Sequence, residues 1–236
     1  MAEKLYIRLG SNAKDAVHWL IFSDDQEGII ASGELPNADS LVQLAEKSKQ
    51  REVITFVSAS DISLKSLKVP SKSAKAMRLA VPYMLEDELA QDVEDLFFAY
   101  SDINIASSEH NCFVAVVEHA QLELWQQWLE NADITCKKMI PDVLAMPLVS
   151  DANIGSAIAL GEQILLRQGQ WQGTTLDTNT WPLISQSLSD ARIDEADKAE
   201  QEKMLEEQLQ AEQAVRQKKR NKQDLQTTIQ IQCQRE

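Results

Sequence analysis

Six carboxylates fall within ten residues of this chain: Glu86, Asp87, Glu88, Asp92, Glu94 and Asp95. Carboxylates act as acid and base only when burial and mutual repulsion split their pKa values, and nothing in this run signals a buried pair. Two readings remain. The run is either a solvated acidic helix end, or a docking surface for a basic partner, where charge complementarity speeds association and sets register. His18, His110 and His119 are dispersed, and the nearby Glu109, Cys112 and Glu118 complete no recognised metal-ligand spacing. The sequence holds no G-x-S-x-G elbow, no Walker loop and no G-x-G-x-x-G, with seven glycines altogether. Neither a catalytic residue, a metal ligand nor a cofactor is therefore expected.

The whole chain shares the acidic character of that run. Its 236 residues carry a formal net charge of −14, which argues against nucleic acid or an anionic bilayer as the main binding surface, because such a surface needs clustered Lys and Arg. A hydrophobic fraction of 44% is enough for a packed core. Cys112, Cys136 and Cys233 are odd in number and contain no CxxC pair, so a disulfide framework is not expected and a reducing compartment is. The N-terminus MAEKLYIRLG has no continuous apolar h-region, and no later segment approaches the roughly 20 apolar residues of a spanning helix.

The elements that must position any site follow from periodicity. Leu5 to Leu9, Val17 to Phe22 and Ile29 to Ser32 read as a three-stranded meander with polar turns. A short helix follows Asn37, and Val53 to Val57 reads as a buried central strand. A second unit begins near Val69-Pro70 with Ser71 as helix cap, and Ala74, Met77, Ala80, Val81, Met84 and Leu85 lie at helical spacing. Pro82 should kink that helix. Strands at Leu96 to Ser101 and Cys112 to Val117, a helix from about His119 to Asn131 and a third strand at Ile134 to Ile140 complete an α-β-β-α-β unit. Leu122, Trp125, Trp128 and Leu129 form its buried helix stripe. A short helix from Asp142 to Leu148 leads to a second meander at Ser156 to Leu160, Gln163 to Arg167 and Trp171 to Leu176. From about Asp190 to Glu236, Glu, Gln, Lys and Ala dominate, and a charged helical or disordered tail is expected.

The run PYMLEDELAQDVEDLFF, the block Lys138-Met139-Ile140-Pro141-Asp142-Val143-Leu144-Ala145-Met146-Pro147, the opening Leu5-Tyr6-Ile7-Arg8-Leu9, the turn Ser58-Ala59-Ser60-Asp61 and the step Lys68-Val69-Pro70 together resemble the cytoplasmic domain of the type II secretion system protein L family. The similarity spans about residues 1 to 180 in order; from Ser185 onward no match is recognised, nor is the single membrane helix expected after the family's cytoplasmic domain. The resemblance implies an α/β (α+β) fold of actin-like, ribonuclease-H-like lobes: residues 1–68 as an N-terminal lobe, 69–140 as the inserted unit, 141–189 as a second partial lobe and 190–236 as the tail.

What the resemblance implies for function is a scaffold and not an enzyme. It would sit at the cytoplasmic face of the bacterial inner membrane, form a homodimer, bind the cytoplasmic secretion ATPase (protein E of the system) and meet protein M and other platform proteins. Glu86, Asp87, Glu88, Asp92, Glu94 and Asp95 are the candidate partner-binding residues. Actin-like ATPases use two apolar-Asp-apolar-Gly turns to hold metal-bound phosphate. The counterparts here, Tyr6-Ile7-Arg8-Leu9-Gly10 and Ala157-Ile158-Ala159-Leu160-Gly161, keep the glycines and carry Arg8 and Ala159 where the aspartates would stand. The alternative readings are an actin-like protein with residual nucleotide binding, and a cytosolic module whose tail forms a coiled coil.

Overall fold

The computed structural model describes residues 3–70, 73–101, 112–149 and 155–186. The chain divides into two compact units, Met1–Asn179 and Thr180–Glu236. In the second unit the described residues are 180–186, of which 181–186 are helical.

The first unit opens with the expected meander. Strand β1 (Glu3–Leu9) pairs antiparallel with β2 (Val17–Ser23), which pairs antiparallel with β3 (Gly28–Leu35). Alternation along β1 sends Leu5, Ile7 and Leu9 into the core at 0% exposure and leaves Tyr6 and Arg8 on the opposite face. After Asn37, whose side chain accepts from the Ser40 amide at 3.0 Å as an N-cap, the chain makes a 3₁₀ helix (Ala38–Leu44) and one turn of helix α1 (Ala45–Ser48). Strand β4 (Glu52–Val57) then lies parallel to β1.

The next strand went unseen in the sequence. Strand β5 (Ile62–Leu67) leaves the first sheet and forms a second one, in the order β5-β7-β6, with β6 (Leu96–Tyr100) and β7 (Cys112–Glu118). Helix α2 (Ala74–Leu85) covers this sheet by burying Met77, Val81 and Leu85 against Leu96, Cys112, Val114 and Val116. The expected cap Ser71 lies outside the described residues. Pro82 does not end the helix. Its missing N–H leaves the Arg78 carbonyl without the usual i→i−4 partner, and the Tyr100 hydroxyl donates to that oxygen at 3.0 Å while the Arg78 guanidinium lies over the Tyr100 ring.

Helix α3 (His119–Asn131) buries Trp125, Trp128 and Leu129 on the first sheet, with Leu122 packed at the margin. The strand expected at Ile134 to Ile140 is shorter and stands elsewhere: β8 (Lys138–Pro141) pairs parallel with β4, so the first sheet runs β3-β2-β1-β4-β8. The physical reason lies in β4. Its Val53 and Val57 are buried, and an apolar strand of this kind gains more from a covering neighbour than the second sheet, whose centre β7 is already paired on both sides. Pro141 is tolerated because it ends an edge strand. The unit expected at 69–140 thus sends its last strand into the N-terminal sheet, while β5, which precedes it, joins the second sheet.

The helix expected at Asp142 to Leu148 is a 3₁₀ turn, Asp142–Ala145. The closing meander forms as expected, with β9 (Ser156–Leu160), β10 (Gln163–Arg167) and β11 (Gly173–Asp177) in a third antiparallel sheet. The tail from residue 190 lies outside the described residues.

Candidate functional site

In an open sheet with parallel strands, side chains that act together collect beyond the carboxyl ends of those strands. Here β1, β4 and β8 are parallel, and the segments that follow them are Gly10-Ser11, Ser58-Ala59-Ser60-Asp61 and Asp142. One carboxylate ties all three ends. The Arg8 Nε donates to Asp142 Oδ2 at 2.9 Å and a second guanidinium nitrogen lies 2.9 Å from the same oxygen, while the Ala59 amide donates to Asp142 Oδ1 at 3.0 Å. Asp142 is 4% exposed. The turn after β1 is held a second time by the Trp125 indole, which donates to the Gly10 carbonyl at 2.9 Å. Gly10 is required there: a Cβ would meet the Asp15 side chain at 2.5 Å.

Beside this knot, on the face of the first sheet away from the core, lies a cleft of about 760 Å³ lined by Tyr6, Arg8, Trp19, Phe56, Met146 and Ile158 among others. It is the place where the first strand-glycine turn presents its side chain, and that side chain is a guanidinium already committed to Asp142. Ala159 does not line the cleft. Strand alternation puts it on the face of β9 opposite Ile158 and Leu160, which do. Gly161 follows with φ +62°, a left-handed turn that favours glycine. Neither turn carries an acidic side chain at these positions, where Arg8 and Ala159 stand.

A second, polar pocket of about 470 Å³ opens on the other side of the 58–61 turn. Asp61 lines it, and burial pushes its carboxyl above the ordinary carboxylate range; a Ser11 hydrogen bond opposes this, and the charges of Asp15, Asp142 and Glu118 add to it. Asp61 Oδ2 and Thr175 Oγ1 are both buried without a hydrogen-bond partner. A chain of hydroxyls, Ser11 to Ser60 at 3.1 Å and Ser60 to Ser58 at 2.6 Å, runs along the turn.

The six acids singled out from the sequence lie together on one continuous segment and are all exposed. Glu86, Asp87 and Glu88 form a 3₁₀ turn directly after α2; Asp92 precedes a second such turn, Val93–Asp95. Glu88 meets Lys65 at 2.9 Å and is the one member of the six in an ion pair among the described residues. Next to them α2 exposes Leu79 (65%), Tyr83 (73%) and Met84 (43%). His119 packs edge-on to Phe97, His110 lies outside the described residues, and no group of three or more His, Cys, Asp or Glu side chains suited to a metal ion is found among the described residues.

The sequence matches the family described as "Type II secretion system (T2SS), protein L" over residues 5–230. The chain belongs to the type II secretion system protein L family. It is 30% identical to the type II secretion system protein L of Vibrio cholerae over 187 residues, covering 79% of this chain and 44% of that protein. It is 27% identical to that of Dickeya chrysanthemi, covering 64% of this chain and 36% of that one. The chain therefore spans less than half the length of the curated relatives it matches. Among solved structures it is similar to the cytoplasmic domain of EpsL, an inner membrane component of the type II secretion system of Vibrio cholerae, with a TM-score of 0.68 and 30% identity over 78% of this chain and 74% of that one. The PilM-PilN type IV pilus biogenesis complex shares the fold, with a TM-score of 0.55 and 16% identity over 74% of this chain and 61% of that one.

For this member of the protein L family the match runs past Ser185, where sequence inspection lost it, to residue 230. The mixed α/β class is as expected. No described helix is long and apolar enough to cross a membrane. Two features were missed, the Arg8–Asp142 knot and the Asp61 pocket. Both lie in segments that carried the resemblance, Ser58 to Asp61 and Lys138 to Pro147, but their partners come from distant strands and no local spacing announces them.

Proposed function

We propose that this chain is a non-catalytic scaffold of the type II secretion inner-membrane platform, which recruits and anchors the cytoplasmic secretion ATPase, protein E, at the cytoplasmic face of the bacterial inner membrane. Family membership supports the setting. The observation that carries the recruiting role is the surface at the end of α2, where five exposed carboxylates free of ion pairs among the described residues adjoin exposed Leu79, Tyr83 and Met84. Such a surface fits a partner that is basic and partly apolar: the apolar contacts supply affinity, and the charges supply on-rate and register. Protein M and a second copy of this chain are further partners in the same proposal.

The test is association of the full chain with the secretion ATPase of the same organism, by pull-down and then by binding kinetics. A triple change, Glu86→Lys with Asp87→Lys and Glu94→Lys, should slow association and flatten its salt dependence; single changes are worth only about 0–1 kcal/mol at exposed sites and can be silent. Circular dichroism must first show the triple variant folded. Unchanged rate and unchanged salt slope in a folded variant would move the interface off this segment, and absence of any association would end the recruiting proposal.

The non-catalytic half of the proposal rests on Arg8. With that guanidinium bound to Asp142, the turn offers cationic nitrogen where a metal-phosphate site needs carboxylate oxygen. Purified chain should show no magnesium-dependent ATP hydrolysis above a heat-inactivated control. Hydrolysis in clean protein that disappears on changing Arg8 would overturn it. The competing reading, residual nucleotide binding in the 760 Å³ cleft, predicts a raised melting temperature with magnesium ATP.

A further inference from the structure

The polar pocket beside the 58–61 turn is lined by two carboxylates, Asp61 and Glu118, and by no lysine, arginine or histidine. Two of its groups, Asp61 Oδ2 and Thr175 Oγ1, are buried with no partner. A buried polar atom left unpaired costs about 1–3 kcal/mol, and each such atom calls for an explanation. Asp61 itself is only part-buried and lines the cavity.

What the lining lacks is a cationic donor. The two amides of the pocket spend N–H groups inside the protein: Gln91 Nε2 donates to Glu118 Oε1 at 2.7 Å, and Gln121 Nε2 donates to the Ser11 carbonyl at 3.0 Å. Their carbonyl oxygens, the Asp61 carboxylate and the Glu118 carboxylate make the cavity rich in acceptors and negative in charge. The described residues supply no metal-binding group of three or more ligands there. A planar cation with several N–H donors satisfies such a set better than a point charge does, because its fork reaches two acceptors at once.

The position of the pocket says where that cation comes from. Leu89, Gln91 and Leu96 line it, and these belong to the same segment as the acidic run. The cavity is thus continuous with the surface assigned above to the secretion ATPase, and an arginine buried in a pocket at such a surface is a common energetic anchor of protein interfaces. We propose that the Asp61–Thr175 pocket receives an arginine side chain of the protein partner that docks on the acidic segment. The inference rests on the docking proposal for its source, but not for its chemistry.

Two measurements keep those apart. In the first, isotope-labelled full chain is titrated with N-acetyl-arginine amide and, separately, with N-acetyl-citrulline amide, its neutral isostere, and amide resonances are followed. The arginine compound should shift residues 59–63, 116–121 and 174–175, the citrulline compound should not, and Asp61→Asn should abolish the response. In the second, Asp61→Asn and Thr175→Val, each shown folded by circular dichroism, are measured against the secretion ATPase. Asp61→Asn should weaken binding by about tenfold or more and Thr175→Val by a smaller factor, since loss of one member of a buried charge pair acts mainly on dissociation. ATPase binding at wild-type strength in both variants, with no arginine-dependent shifts, overturns the pocket and leaves the docking proposal standing. Arginine-specific shifts in a chain that does not associate with the ATPase uphold the pocket's chemistry and overturn its assigned source.

Discussion

Replacing Arg8 with alanine should lower the unfolding free energy by about 3–5 kcal/mol, among the largest losses available to a single side chain on this surface of the sheet. The guanidinium is the main compensation for Asp142, a carboxylate 4% exposed whose other oxygen is taken by the Ala59 amide. Without Arg8 that charge stays buried with one hydrogen bond. The converse change should cost less. In Asp142→Ala the Arg8 side chain, 17% exposed, can still turn toward water along the cleft. A double change to apolar residues of similar volume, Arg8→Met with Asp142→Leu, should recover part of the loss, because removing a buried pair whole spares the orphaned charge. Urea unfolding with an unchanged m-value is the measurement. A loss below about 1 kcal/mol for Arg8→Ala would mean that the pair is solvated and does not lock the strand ends.

Trp125→Ala should be at least as damaging, by about 3–5 kcal/mol for the emptied volume alone. This indole is fully buried among Leu9, Val17, Leu41 and Leu129 in the core of the first sheet, and it also satisfies the Gly10 carbonyl. Trp125→Phe separates the two contributions, since it keeps most of the apolar contact and drops the hydrogen bond; the remaining loss should be about 1–3 kcal/mol. Amide hydrogen exchange at Gly10 to Asp15 should accelerate in both variants, more than exchange in β6 and β7, because the turn after β1 is held to α3 through this bond. Equal acceleration across both sheets would show instead that the tryptophan acts only through global stability.

Much of the fold was legible because its elements are locally determined. The alternation in β1, the Asn37 cap, the Trp125–Trp128–Leu129 stripe and the closing meander are each set within a few residues by periodicity and turn chemistry. Strand β5 was hidden. Its burial is intermediate at every position, so neither alternation nor a continuous apolar run marks it, and its pairing with β7 is decided across the intervening chain. The placement of β8 was hidden for the same reason: four residues carry no signal of which sheet they join. The acidic segment was legible as a surface because charge needs no partner to be read. Asp61 and Asp142 were not, since a carboxylate in a turn looks the same in sequence whether it caps, pairs with a distant arginine or lines a pocket.

The late arrival of β8 has a consequence for how the chain is made. Residues 58 to 137 separate the end of β4 from its neighbour, so this part of the five-stranded sheet closes a long loop and contributes a slow, high-contact-order step to folding. Until Asp142 emerges and docks, Arg8 has no counter-charge and the edge of β4 stays open to other strands. A nascent chain stalled before residue 142 is accordingly the species most prone to wrong pairing during synthesis, and one that a chaperone would have to shield.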